Sequence, residues 1–464
     1  MTFILKGGII VSGTELQNAD VQVEGEKITA IGSNLRSDDA QVFDVRDRLL
    51  FPGFIDAHTH FDLAVAGTVT ADDFASGTRA ALLGGTTTVI DFATQYRGES
   101  LKEAYLNWQR KAVGKACCDY AFHMAISDWN QSVSEELAEM IGLGINSFKL
   151  YMTYDAMKVD DRQIFQILKR LKEVGGIAGV HCENSGIIDA LVEEKRKLGQ
   201  LGVGSHPQTR PAAAEAEAVN RLLRIAEIAE APVIIVHLSS REGYRAVEQA
   251  RARGQVVYVE TCPQYLLLDD SLYGQSQSEG SKYVIAPPLR KKDDQACLWE
   301  ALQKGQIQTI GTDHCSFAAR QKELGKDDFT KIPGGMPGVE TRAELIYAYG
   351  VRQDRISLQQ MCRLLSENPA KLYGLYPGKG SLSAGSDADI VVFNPAASGI
   401  IQARYQASRS DYSPFENMSV CGQVDQVYLR GQLAVSQNVC LSESKGRYIP
   451  RTTFRQNILQ MEEA

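Results

Sequence analysis

The sequence predicts an α/β protein: a (β/α)8 barrel of the TIM type with a small β-sandwich domain built from both chain termini. Between residues 51 and 375, eight short apolar runs alternate with amphipathic stretches, as parallel strands alternate with helices. On either side of that region the texture is short strands punctuated by glycine. Histidines, a lysine and an aspartate stand at the ends of several runs, where barrels of this kind carry their chemistry. The expected domains are 1–50 and 376–441 for the two parts of the sandwich, 51–375 for the barrel, and 442–464 for a C-terminal arm.

In chain order, the first segment contains Phe3-Ile4-Leu5, Ile9-Ile10-Val11, Val21-Gln22-Val23 and Ile28-Thr29-Ala30-Ile31, broken by Gly7-Gly8, Gly13 and Gly25. It has too little apolar mass to stand alone, so strands from elsewhere should complete it. Barrel strands are expected over 54–58, 87–92, 120–124, 147–150, 177–181, 233–237, 256–261 and 309–313. A helix is expected over 160–174, with Asp160 to cap it and Gly175-Gly176 to stop it. Further helices are expected over 212–230, 241–253 and 293–304, and Gly84-Gly85 should end another. After residue 375, Ile390-Val391-Val392-Phe393 and the runs 424–429 and 432–435 return to short strands. Residues 442–464 mix charges with few apolar side chains and read as an arm.

The chain has 464 residues, 44% hydrophobic and 23% charged, ordinary for a soluble globular protein. A net charge of −8 argues against an extended phosphate-binding surface, and so against a nucleic-acid partner. Nine cysteines with no Cys-x-x-Cys pair point to reduced thiols in a cytoplasm. The chain opens with no basic-then-apolar leader, and no apolar run approaches the ~18 residues of a membrane span.

The stretch Gly53-Phe54-Ile55-Asp56-Ala57-His58-Thr59-His60 organises the rest. Alternate residues of a strand face the same way, so His58 and His60 converge at a strand end, and two imidazoles suit zinc or a similar ion. Lys149 ends the fourth run, His181 the fifth, His237 the sixth and Asp313 the eighth. Each alone reads as a packed or hydrogen-bonded core residue; together they read as a metal site. Lys149 is the informative member, because an ammonium beside a dication would be repelled. Its amine makes chemical sense there as a carbamate formed with carbon dioxide, an anion able to bridge two metals. The competing reading is a salt bridge to Asp56, Asp91 or Asp313. His123 and His206 read as structural, and Cys182 and Cys315 as packed thiols. Glu183 and Asn184 either orient His181 or make a loop turn.

Several segments resemble the binuclear metal-dependent amidohydrolase superfamily, and within it the hydantoinase/dihydropyrimidinase family. They are the His58 segment, Ser147-Phe148-Lys149-Leu150-Tyr151-Met152-Thr153-Tyr154, Val180-His181-Cys182-Glu183-Asn184 and Val236-His237-Leu238-Ser239. To these are added Glu260-Thr261-Cys262-Pro263-Gln264-Tyr265-Leu266 and Gly311-Thr312-Asp313-His314-Cys315. The Lys149–Tyr154 and Thr261 segments are the more specific to this family. The resemblance implies two divalent metal ions, most simply zinc. His58, His60, carboxylated Lys149 and Asp313 would hold one; Lys149, His181 and His237 would hold the other. It implies hydrolysis of a small cyclic amide, a 5-substituted hydantoin or dihydropyrimidine, to an N-carbamoyl amino acid. Tyr154 would donate to the oxyanion, and Asp313 would move a proton from the attacking water to the ring nitrogen. The ring would be held by backbone atoms of Ala286 and Gly334, where the family carries serine and asparagine. These two departures bear on substrate preference, as do the loops 63–70 and 152–159. A homotetramer is implied, with the C-terminal arm as an exchange element. Among the alternatives, a dihydroorotase-like enzyme carries arginine soon after the second histidine, where this chain has Phe61 and Asp62. An allantoinase lacks the Tyr154 type of segment, a mononuclear deaminase needs no lysine, and a non-catalytic scaffold would have lost ligands.

Overall fold

Eight parallel strands follow one another around a barrel: Phe54–Thr59, Thr86–Thr94, Asp119–Ala125, Ser147–Tyr151, Ile177–His181, Val233–Ile235, Val257–Thr261 and Thr309–Ile310. The first and last meet through the backbone. His60 N–H donates to the His314 carbonyl at 2.8 Å, and His314 N–H donates to the His58 carbonyl at 3.3 Å. The computed structural model describes residues 2–443, 445–456, 458 and 459. Helices cover the outside of the barrel, so its strands are buried on both faces. Thr86–Thr94 is buried at every position, and its start, Thr86-Thr87-Thr88-Val89-Ile90, is all β-branched, the side-chain shape that packs on a pleated surface.

Strands six and eight stop short of expectation, at Ile235 and Ile310 rather than at His237 and Asp313. The reason is local: His237 has φ 38° and Asp313 φ 53°. A left-handed residue cannot continue a strand ladder; the conformation is uncommon outside glycine, and histidine and aspartate are among the types that adopt it most readily. The chain turns instead, and both side chains are carried over the mouth of the barrel.

The expected helix over 160–174 is Asp161–Val174, with the Asp160 side chain accepting from Gln163 N–H and Gly175 at its C-cap. Ile164, Ile167, Leu168 and Leu171 form its buried stripe. Ala212–Ala229, Arg241–Ala252 and Lys292–Gln303 lie within a residue of the expected spans, and Phe74–Leu83 ends at Gly84.

Strands from both ends of the chain share a second sheet of nine strands. The junction is Leu49–Pro52, which runs antiparallel to Ile390–Ile400. Hydrogen bonding is continuous rather than divided between two sheets. Phe3 and Tyr428 nevertheless stack at 5.0 Å although two strands separate theirs, a gap of about 14 Å in a flat sheet. The sheet therefore curls over a core that includes Phe3, Leu5, Val21, Val23, Ile390 and Val392. Phe3-Ile4-Leu5 and Ile9-Ile10-Val11, expected as separate pieces, belong to one strand, Thr2–Val11. Its register shifts between Leu5 and Gly8, and Gly7 at φ 79° supplies the bulge that keeps the strand whole.

The described part of the C-terminal arm runs beneath the barrel of its own chain; residues 444, 457 and 460–464 of the expected arm lie outside the described residues. Tyr120 N–H donates to the Arg447 carbonyl at 2.9 Å, and Ile449 N–H donates to the Tyr120 carbonyl at 2.8 Å. No helix among the described residues is long and apolar enough to cross a membrane.

Barrel and curled sheet are tied by one buried cation. Lys379 Nζ lies 2.6 Å from Asp119 on the third barrel strand, 2.7 Å from Asp389 and 3.0 Å from Asp387. Arg430 also reaches Asp119. Removing one partner of a buried ionic cluster leaves the others charged and unpaired, at about 3–5 kcal/mol. Lys379→Met should therefore lower stability by about that amount, read as a fall in the urea midpoint with unchanged slope; an unaltered midpoint would show the cluster to be energetically neutral.

Candidate active site

The strand ends deliver their polar side chains to one pocket. Parallel pairing sets Lys149 beside Gly179 and Tyr151 beside His181, which aligns the fourth and fifth strand ends. A cavity of about 580 Å³ opens there. His58, His60, Lys149, His181, His237 and Asp313 line it, together with Tyr154, Ala286 and Gly334. All nine side chains or backbone positions expected at a site thus share one space. Residues 63–68 with Ala156 and Met157 complete the apolar wall.

Carboxylates fix the lone pairs of His58 and His181. Glu260 Oε1 accepts from His58 Nδ1 at 2.5 Å, so His58 Nε2 carries the lone pair. That atom is buried without a hydrogen bond and faces Asp313 Oδ1 at 3.3 Å. His60 Nε2 lies 3.1 Å from the same oxygen. The donor atoms of His58, His60 and Asp313 all fall within 4.8 Å of one another, close enough to hold one metal ion. On the other side, Glu183 accepts from His181 Nε2 at 2.8 Å. The lone pair of His181 is thereby on Nδ1, which faces His237 Nε2 at 3.1 Å.

Burial disfavours the charged form of three of these rings. It holds His60 down to about 4, lowers His181 and pushes His237 well below the ordinary imidazole value, with Lys149 adding to the effect. Burial opposes the charge on Asp313, but His58 and His60 outweigh it and hold the carboxyl at about 2. Neutral imidazoles with directed lone pairs, beside an ionised carboxylate, are the donor set that a divalent metal needs.

Lys149 sits between the two groups. Its Nζ is 3.5 Å from His237 Nε2 and over the rings of Phe92 and Tyr151 at 5.1 and 5.2 Å. Asp56 instead accepts from Thr312 Oγ1 at 2.7 Å. Asp91 accepts from Thr59 Oγ1, Phe61 N–H and Trp108 Nε1, each at 2.9 Å. Lys149 therefore forms none of the three salt bridges that the sequence left open. Burial lowers its ammonium to about 8, so a share of the amine is free at neutral pH.

Tyr154, at φ 69°, overhangs the pocket with its ring 5.4 Å from His181. Loss of solvent around the phenol raises its pKa, so it carries its proton at neutral pH and is a donor.

The sequence profile of the amidohydrolase family matches residues 49–434. The chain belongs to that family, in its hydantoinase and dihydropyrimidinase branch. A D-hydantoinase of Geobacillus stearothermophilus is 43% identical over 458 residues, 98% of this chain and 97% of the relative. The crystal structure of dihydropyrimidinase from Brevibacillus agri matches at a TM-score of 0.97 and 43% identity, covering 98% of this chain and 100% of that one. The L-hydantoinase of Arthrobacter aurescens matches at a TM-score of 0.89 and 29% identity, over 97% and 100% of the two chains.

Several residues that support this amidohydrolase site escaped sequence reasoning. Glu260 was visible only as the first letter of a motif; its place one residue before the end of strand seven was the signal. Arg210, from a loop, pairs with Glu183 and lies 5.4 Å from the Tyr154 ring, and nothing local marked it. Of the open readings, Glu183 orients His181, while Asn184 caps the helix Ser185–Lys197. His123 bonds Ser147 Oγ and the Ala57 carbonyl, and His206 the Ile285 carbonyl. Both are structural. Cys182 is a buried thiol whose Sγ donates to the Val180 carbonyl, and Cys315 is buried as well.

Proposed function

We propose that this chain hydrolyses the ring amide of D-5-substituted hydantoins, and of dihydropyrimidines, to N-carbamoyl amino acids. The observation that carries the reading is Lys149, a buried amine with no carboxylate partner among the described residues, set between two groups of metal-competent donors. The likeness to D-hydantoinases over nearly the whole chain supports the substrate class and the hand. The residue after His60 is Phe61, buried against Phe74 at 5.7 Å. It offers no cation to a substrate carboxylate, which disfavours a dihydroorotase-like reaction.

His58, His60 and Asp313 would hold one divalent ion and His181 and His237 the other, with zinc suited to imidazole and carboxylate donors. The free amine of Lys149 would attack the carbon of carbon dioxide, form an N–C bond and release one proton; the resulting carbamate would make Lys149 an anionic donor beside both groups of histidines. When bound, the two ions supply an activated water at neutral pH and polarise the ring carbonyl. Asp313, ionised at neutral pH, accepts the proton of that water and returns it to the leaving ring nitrogen. Tyr154 keeps its proton and donates to the oxyanion that develops on the attacked carbonyl. Backbone atoms of Ala286 and Gly334 hold the rest of the ring, and the apolar wall at 63–68 receives the 5-substituent. The reading includes a homotetramer and a cytoplasmic location, in keeping with nine cysteines and no Cys-x-x-Cys pair.

In a ring-opening panel of racemic 5-substituted hydantoins, dihydrouracil, allantoin and dihydroorotate, the first two should be turned over. The hydantoin product should be the D-N-carbamoyl amino acid by chiral chromatography. Preferred turnover of dihydroorotate would sink the assignment.

Lys149→Ala removes the bridging anion, and the ions should lose affinity with it. Metal analysis should find less than two ions per chain, and activity should nearly vanish. Added acetate or propionate with metal should restore part of it. Two bound ions with normal turnover in this variant would make Lys149 a packing residue. Light scattering should give four times the 51.0 kDa chain mass; a monomer at all working concentrations would refute the tetramer.

A further inference from the structure

Behind the pocket lies a second buried lysine that the chemistry above does not use. Lys322 is 1% exposed and makes no ion pair with a carboxylate among the described residues. Its Nζ donates to three backbone carbonyls: Val284 at 3.0 Å, Pro333 at 2.7 Å and Gly335 at 2.7 Å. The first belongs to the loop of Ala286, the other two flank Gly334. Gly335 N–H donates to the same Val284 carbonyl at 2.9 Å, so the two loops touch directly and are bracketed by one ammonium.

The loops leave little slack. A Cβ on Gly335 would lie 2.3 Å from the Cys315 carbonyl oxygen, and Cys315 N–H donates to the Met336 carbonyl at 3.1 Å. The 334–336 backbone is thus pressed against the segment that follows Asp313. Burial lowers this lysine to about 7, but an ammonium has three hydrogens in tetrahedral directions, and three carbonyls, one for each, favour the charged form. Desolvating such a cation without a counter-ion is costly, and a water or an amide side chain could tie loops at smaller cost. What only the ammonium does is fix three carbonyls on two loops to one point.

We propose that Lys322 is a positioning residue for substrate: it sets the spacing between the two loops whose backbone atoms at Ala286 and Gly334 grip the ring. The inference rests on the ring-opening function above and deepens it. Those backbone atoms hold the part of the ring remote from the attacked carbonyl. They bind ground state and transition state alike, so their misplacement should raise KM and leave kcat nearly unchanged.

The test compares Lys322→Met, which keeps the chain length without donors, and Lys322→Gln, whose amide offers two donors. Steady-state kinetics on the hydantoin that the wild type opens best should show KM raised on the order of tenfold or more in Lys322→Met. Lys322→Gln should fall between, and kcat and metal content should hold in both. Hydrogen exchange should quicken at the amides of 284–286 and 334–336 and not in the barrel strands. If Lys322→Met does not fold, Lys322→Gln decides. A fall in kcat with unchanged KM would overturn the proposal, as would unaltered exchange in these segments or quickened exchange with wild-type KM. Exchange reads the bracket without turnover, so a wild type inactive on every ring would count against the assigned reaction, while unaltered exchange would count against the bracket itself.

Discussion

An imidazole ring has two nitrogens, and in a dry site one must be occupied before the other can be aimed. Most of the mouth of this barrel follows from that constraint. Glu260 ties His58 at Nδ1 and Glu183 ties His181 at Nε2, which sends opposite nitrogens of the two rings toward the same space. The carboxylates need their own support: Arg210 pairs with Glu183, and Glu260 sits at the end of strand seven beside His237, whose N–H points at it from 3.3 Å. Burial lowers His181, as it does His60 and His237, and their donors remain lone pairs rather than cations. Lys149 is tolerated among them because its amine, too, is pushed toward its neutral form.

Barrel closure and site geometry are one problem in this chain. Strand eight ends early, and the left-handed Asp313 turns its carboxylate back over the histidines. The same turn lets His314 bridge to His58 and His60 through the backbone. The His314 ring is held between Asp72, at 3.0 Å, and the N–H groups of Gly338 and Val339. Ser408 and Arg409, far along the chain, also bond Asp72. The segment after the barrel therefore helps to hold the turn on which Asp313 stands.

The pocket is divided between rigid and loop-borne parts. Its floor is made of strand ends, whose positions follow from the ladder. Its walls come from the hairpin around Ala66, from the Tyr154 segment and from the paired loops at Ala286 and Gly334. Ala286 and Gly334 line the pocket as residues that offer backbone and little else. Backbone contacts depend on where a loop lies rather than on which side chain it carries. The buried Lys322 bracket is the feature that governs that placement.

By itself the sequence determined the strand order, the alternation with helices and the identity of the residues brought to the barrel mouth. These are local properties: β-branched runs favour strands, Asp160 and Gly175 bound a helix, and the parity of a strand tells that His58 and His60 face together. It also pointed to a sheet shared by both termini, because the first segment had too little apolar mass to fold alone and short strands returned after residue 375. Tertiary structure decided what lies across gaps in the chain. Glu260 meets His58 across 202 residues. Lys322 reaches a carbonyl 38 residues away, and Phe3 stacks on Tyr428 only because the sheet curls. The left-handed turns at His237 and Asp313 belong to the same class: nothing in an isolated histidine or aspartate favours them strongly, and packing at the closing barrel holds them. A local pattern fixes which face a residue occupies, whereas its partner depends on the approach of distant segments, which no local pattern encodes.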